Sequence, residues 1–373
     1  MDNNKKFNIT TFLTFFGKNM IEAFIPIILY KKGFSINNIM LYLMFQYIIS
    51  IFVIWLIPII DKHLKYRGLV IINTLFFIIG YTFLFYMNNS ILNLFLLALF
   101  HILHGSVFWI LRHIYIIQIY PNDNLSKNVG NILIFMELAL LFSSYISAYI
   151  LEKSNQLILI IIASIILIIG SIILLTIRIN DFDNKMNFKV LKALKTKNVI
   201  FFILEQFKVI AITLFPLYIT IFLDVNYKFI GLFNVLIGIS SIIFIFLFSR
   251  LINKRKKSYL LPTAIFYSLL WFLKINVNVK IIVLIIAFLE GIISKIYQTS
   301  TTRFLYSLGK HFNTIEYVTV VEMLFGFIRF IIISIALLFI KDLKLLLYIC
   351  SLGLLLTGFV KFNDLNDEKQ IKE

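Results

Sequence analysis

Twelve apolar segments, each long enough to cross a bilayer, follow one another along this chain with almost nothing between them. They run approximately 8–30, 36–60, 68–87, 91–118, 129–151, 156–178, 199–223, 229–250, 259–275, 280–304, 314–340 and 343–361. A spanning helix needs about 20 predominantly apolar residues, and twelve spans in 373 residues leave roughly 31 for each span with its loop. No stretch remains for a separate soluble domain; the longest gap is 179–198. The segments are too long for barrel strands and lack their alternation. The expected fold is therefore an all-α integral membrane protein. A hydrophobic content of 61% and a mean hydropathy of +0.96 agree, since a globular chain is nearer half apolar.

The net charge of +17 would suit a nucleic-acid binder, but its placement argues for membrane topology instead. With the N-terminus taken as cytoplasmic, 22 of the 35 Lys and Arg fall on the cytoplasmic side. Eight fall outside: Lys31, Lys32, Lys153, Lys228, Lys274, Lys280, Lys341 and Lys344. That bias predicts both termini inside. The single cysteine, Cys350, excludes an internal disulfide. The run from Phe7 to Tyr30 is too long for a cleavable signal and contains Lys18 and Glu22, so it reads as the first span. No phosphate-binding Gly-x-x-x-x-Gly-Lys-Ser/Thr loop is present, which argues against primary transport.

Ten charges lie within the spans. Lys18 and Glu22 are in the first, Arg112 in the fourth and Glu137 in the fifth. Glu205 and Lys208 are in the seventh, Glu290 and Lys295 in the tenth, Glu322 and Arg329 in the eleventh. Each costs roughly 2.5–3.5 kcal/mol at membrane depth and so faces a partner or a watery cavity. Lys18 and Glu22, four apart, share a face; they read either as a self-neutralising pair or as a substrate contact with a coupling carboxylate. Glu205 and Lys208, three apart, pose the same choice. Glu290 and Lys295 are five apart and do not pair simply with each other. Glu322 and Arg329 share a face two turns apart. Arg112 lies in the fourth span with His101, His104 and Phe108, and its planar fork suits a carboxylate or phosphate; its expected partner is a substrate anion or Glu137. His101 and His104 lack acidic or cysteine companions at ligand spacing, so no metal site and no cofactor is expected. Trp109 and Tyr297 read as packing residues or as platforms for a solute.

The two halves look like copies. An offset of 190 pairs Lys18 with Lys208, Pro26 with Pro216, Lys65 with Arg255 and Arg67 with Lys257. Offsets of 186 and 185 pair Gly105 with Gly291 and Glu137 with Glu322. Six-plus-six halves in this parallel sense are a transporter architecture.

In these features the chain resembles the major facilitator superfamily. The loop after the second span carries part of that family's Gly-x-x-x-Asp-Arg-x-Gly-Arg signature. Asp61, Lys62 and Lys65 match in character, while Ile57 and Leu64 replace both glycines. The resemblance implies an N-terminal six-helix bundle over 1–178, a basic cytoplasmic linker at 179–198, a second bundle over 199–361 and a cytoplasmic tail at 362–373. It implies that spans 1, 4, 7 and 10 line a central cavity and that 3, 6, 9 and 12 face lipid. The ten charges avoid those four spans. It further implies a cytoplasmic gate at Asp61, Lys62 and Lys65, and that a monomer suffices. The expected activity is secondary transport of a small polar or charged solute by alternating access, with protons as a coupling ion through a desolvated carboxylate. A lipid or lipid-linked sugar flippase on the same fold is the alternative, with Lys18 and Arg112 at a headgroup. An enzyme is disfavoured, because the outer acids Glu152, Asp224 and Asp342 are isolated in short loops. The Ile-, Asn- and Lys-heavy composition suggests an AT-rich bacterial source and hence a bacterial cell membrane.

Overall fold

The computed structural model describes residues 3–119, 125–177, 189–254, 260–309, 311–340 and 342–360. Half of the expected linker, 179–188, and all of the expected tail at 362–373 lie outside them. Twelve helices follow the twelve apolar segments. They are α1 (Asn3–Lys31), α2 (Ile36–Asp61), α3 (His63–Tyr86), α4 (Ile91–Ile119), α5 (Leu125–Lys153) and α6 (Gln156–Leu175), then α7 (Thr196–Phe222), α8 (Tyr227–Lys254), α9 (Leu260–Asn276), α10 (Lys280–Gly309), α11 (Thr314–Phe339) and α12 (Leu343–Thr357). Ten are long and apolar enough to cross a membrane; α9 and α12 are shorter apolar helices of 17 and 15 residues. Helices suit this composition because an apolar solvent cannot satisfy backbone N–H and C=O groups, and a helix satisfies them internally.

The joints are short and chemically specified. Ser35, Asn155, Asn313 and Asp342 cap α2, α6, α11 and α12 by accepting from backbone N–H groups of the first turn. Gly33 takes φ +89 in the α1–α2 turn, where a side chain would be strained. Helix α3 follows α2 after one residue, and Lys65 in its first turn leaves helical geometry, with φ 53 and ψ 172. The repeated prolines act differently. Pro26 coincides with a break in α1 between Glu22 and Ile25, whereas Pro216 lies inside an unbroken α7. Proline removes an N–H and crowds the carbonyl four residues earlier, which in α1 is that of Glu22.

The helices form two pseudo-symmetric six-helix bundles. In the first, α1 packs on α5 and α6. In the second, α7 and α9 pack on α12, and α8 and α9 on α10. Two seams join the bundles, α5 against α8 and α2 against α11. The α5–α8 seam depends on glycine. A Cβ at Gly231 would lie 2.5 Å from the Ala148 Cβ and 3.0 Å from the Ser144 oxygen. Away from the seams, α6 exposes Ile158, Ile161, Ile165, Ile169 and Ile172 at helical spacing, and α3 exposes Ile71, Leu75 and Ile79. These apolar stripes suit contact with lipid, as expected for α3 and α6.

One sequence expectation fails on α9. Lys274 was counted among the outer loop cations, and α9 was expected to carry no charge. The helix runs on to Asn276 and turns Lys274 inward, leaving it 1% exposed.

Candidate functional site

A cavity of about 390 Å³ lies between the bundles. Helix α1 contributes Asn19, Glu22 and Pro26 to its wall, and α5 contributes Glu137. Helix α7 adds Lys208, Thr213 and Phe215, and α8 adds Phe233 and Asn234. Tyr267, Trp271 and Lys274 come from α9, and Glu290, Ser294, Lys295 and Gln298 from α10. Three carboxylates and three ammonium groups therefore line one enclosed space, accompanied by four aromatic rings.

Each of these charges has a partner nearby. Glu22 is a hub. Lys18 Nζ lies 3.4 Å away, His101 Nε2 3.3 Å, and the Tyr81 hydroxyl donates at 2.8 Å. Nδ1 of His101 faces the Gln46 Nε2 donor at 2.6 Å and the Tyr42 hydroxyl at 2.8 Å. An amide nitrogen only donates, so Nδ1 accepts and the ring proton sits on Nε2, toward Glu22. His104 has the opposite arrangement. Its Nδ1 lies 3.2 Å from the Asn73 carbonyl and must donate, which leaves Nε2, 3.9 Å from Glu22, without a hydrogen-bond partner. The hub thus draws on α1, α3 and α4, with Gln46 and Tyr42 of α2 behind it, all within the first bundle.

The second bundle holds simpler pairs. Lys274 Nζ lies 2.8 Å from both Glu290 oxygens and over the Trp271 ring, 3.1 Å from its centroid. Lys208 bonds Glu205, which also accepts from the Tyr297 hydroxyl.

Two contacts of the span carboxylates bridge the bundles. Glu137 of α5 meets Lys295 of α10 at 2.6 Å, and Lys295 also donates to Gln298 at 2.5 Å. Glu322 of α11 lies 3.3 Å from His113 Nε2 of α4, whose Nδ1 is 2.8 Å from the Tyr306 hydroxyl of α10. Glu137 and Glu322, matched by the repeat, therefore occupy matched cross-bundle positions.

The structure thus groups the sequence-predicted residues selectively. Glu22, Glu137, Lys208, Glu290 and Lys295 line the cavity; Lys18, His101 and His104 stand behind Glu22, and Glu205 pairs with Lys208. The pairs Lys18–Glu22 and Glu205–Lys208 form as their spacing suggests, and Glu290 and Lys295 take separate partners. Arg112 does not meet Glu137, which belongs to Lys295; Arg112 lines a separate, smaller pocket inside the first bundle. Arg329 bonds Gln206 at 2.7 Å rather than Glu322. Trp109 packs on Phe15, Phe108 and His113 away from the cavity. In the expected gate, Asp61 is buried at the end of α2 and Lys65 is exposed at the break; the side chain of Lys62 lies outside the described residues. Sequence reading missed Lys274, His113, Tyr81, Gln46 and Trp271. A usable signal existed for His113, which follows Arg112 directly in a charged span. Among the described residues no His, Cys, Asp and Glu cluster could hold a metal ion.

The profile of the Major Facilitator Superfamily matches residues 7–315. The chain belongs to this superfamily. No curated protein matches it in sequence, but solved structures of the superfamily share its fold. The human organic anion transporter MFSD10 (TETRAN) aligns over 96% of this chain and 98% of its own at a TM-score of 0.71 with 9% identity. A bacterial homologue of the iron transporter ferroportin, in its outward-facing state, aligns over the same shares at 0.66 with 13% identity. The nucleoside transporter NupG does so at 0.67 with 13% identity. At these identities the likeness is one of fold. Membership makes the chain a multi-pass membrane transporter rather than an enzyme.

Proposed function

We propose that this superfamily member is a secondary transporter that carries a small polar solute through the central cavity by alternating access. The Glu137–Lys295 ion pair carries the reading. It joins the two bundles inside the cavity wall, at 2.6 Å, so opening the cavity on that side must break it. A solute group that satisfies either charge offsets that cost, and a solute bound there biases the rocking equilibrium. Protons are the coupling ion this reading favours, with the Glu22 hub as their station. Carboxylate, imidazole and phenol groups are in hydrogen-bond contact there, and His104 Nε2 is a vacant acceptor beside Glu22. The charge bias of the loops supports cytoplasmic termini, and one chain contains the whole cavity, which supports function as a monomer.

The test is solute flux into proteoliposomes under an imposed pH gradient, across sugars, amino acids, nucleosides and organic acids. The reading expects concentrative uptake of one class that collapses with a protonophore, and loss of coupling in Glu22→Gln with facilitated flux retained. Uptake unaffected by both the protonophore and Glu22→Gln would remove the proton from the mechanism.

A further inference from the structure

We propose that Arg112 holds a small inorganic anion of chloride size in a pocket inside the first bundle, separate from the transport cavity. The starting point is the balance of charge at mid-helix depth. With Lys274 included, the cations are Lys18, Arg112, Lys208, Lys274, Lys295 and Arg329, and the carboxylates are Glu22, Glu137, Glu205, Glu290 and Glu322. One cation is in excess. Four lysines have their own carboxylates within ion-pair distance. Arg329 bonds Gln206 and shares α11 with Glu322. Arg112 alone has no acidic neighbour in the set.

Arg112 is 8% exposed, and its Nε and Nη1 have no hydrogen-bond partner. Among the described residues it bonds only the Met136 sulfur, a weak acceptor, and its guanidinium lies over the Trp109 and Phe15 rings. Arginine stays protonated in proteins, and a buried charge without a counter-charge costs several kcal/mol. Something anionic is required.

The pocket that Arg112 lines, of about 30 Å³, lies among α1, α3, α4 and α6. That figure is the room left for the centres of water-sized spheres, and one such sphere needs about 10–15 Å³, so a monatomic anion fits. Polar groups line it with Arg112. The Thr74 hydroxyl gives its proton to the Val70 carbonyl at 2.9 Å and lies 2.7 Å from the Ser171 hydroxyl, which also lines the pocket. Asn73 ends there with Oδ1 unpartnered, and an amide presents a donor on turning over. Among the described residues no carboxylate lines this pocket.

The experiment is thermal unfolding of the detergent-solubilised full chain as chloride replaces gluconate at constant ionic strength and pH. A saturable rise in Tm with chloride is expected in the wild type and absent in Arg112→Gln. No saturable chloride effect in the wild type overturns the proposal, as does an undiminished effect in Arg112→Gln. Should Arg112→Gln fail to fold, wild-type crystals grown in bromide decide the matter: an anomalous peak beside Arg112 is expected, and its absence at saturating bromide overturns the site.

Discussion

The two bundles neutralise their buried charge by different means. In the second, lysine meets glutamate in discrete pairs, and Lys274–Glu290 is bidentate and covered by Trp271. In the first, one carboxylate, Glu22, gathers a lysine, a histidine and a phenol, with a second histidine close by. A discrete pair has one arrangement that works. A hub keeps most of its contacts when any one partner moves or changes protonation. The contrast teaches that repeat symmetry fixes where charge is placed but not how it is satisfied. The second bundle is built to hold, and the first to exchange.

Breaking the tightest pair should have the largest effect. Glu290→Gln leaves Lys274 buried without a counter-charge and should cost about 3–5 kcal/mol of stability, read as a steep fall in Tm. The double variant Glu290→Gln with Lys274→Met should recover most of that loss without restoring transport. By contrast, Tyr81→Phe at the hub removes one of several donors to Glu22 and should cost about 1.5–3 kcal/mol, less than the unpaired lysine. Equal losses for Glu290→Gln and Tyr81→Phe would erase the distinction between the bundles.

Next in size is the cross-bundle bridge. Glu137→Gln weakens a charge-assisted bond worth about 2 kcal/mol, some 30-fold in an equilibrium constant. The expected readout is a shift in which face of the cavity accepts a membrane-impermeant thiol reagent, using a cysteine placed at Asn234. Its repeat counterpart should respond less: His113→Gln keeps a donor toward Glu322 and should shift the same readout by under about 1 kcal/mol. An identical response would mean that the two seams carry equal load. A middle effect is expected from Gly231→Val. The added carbons meet Ala148 and the Ser144 carbonyl, costing about 1–3 kcal/mol through overpacking, with a lower Tm and slower flux.

Most of the fold was legible in the sequence, because the bilayer imposes a length on every segment and short loops force neighbours together. The break in α1 was foreshadowed by Pro26, though its counterpart Pro216 shows that proline alone does not decide a kink. Local pairs were legible where helical spacing makes them, as for Glu205 and Lys208. Long-range partners were not. Glu137 meets Lys295 because α5 and α10 are rotated toward each other in the assembled bundles, and no sequence period encodes that rotation. Lys274 was misread because a lysine near a helix end counts as a loop charge by hydropathy; only packing reveals that its last turn faces Glu290. Sequence reading assigns Arg112 to the cavity because it shares a helix with His101, whereas in the fold it lines the smaller pocket inside the first bundle.

The joint at Lys65 has a mechanical consequence. With one residue between them and one non-helical residue, Lys65, at the start of α3, α2 and α3 have little slack to absorb a change of angle. When α2 tilts at its seam with α11, the motion passes to α3 as through a short lever. From there it reaches α6, where the Tyr66 hydroxyl donates to the Leu174 carbonyl. On the proposed alternating-access reading, a bundle jointed in this way is expected to turn as one stiff body, and a few flexible residues inserted at position 65 would work as a clutch, letting the seam move while the rest of the bundle stays behind.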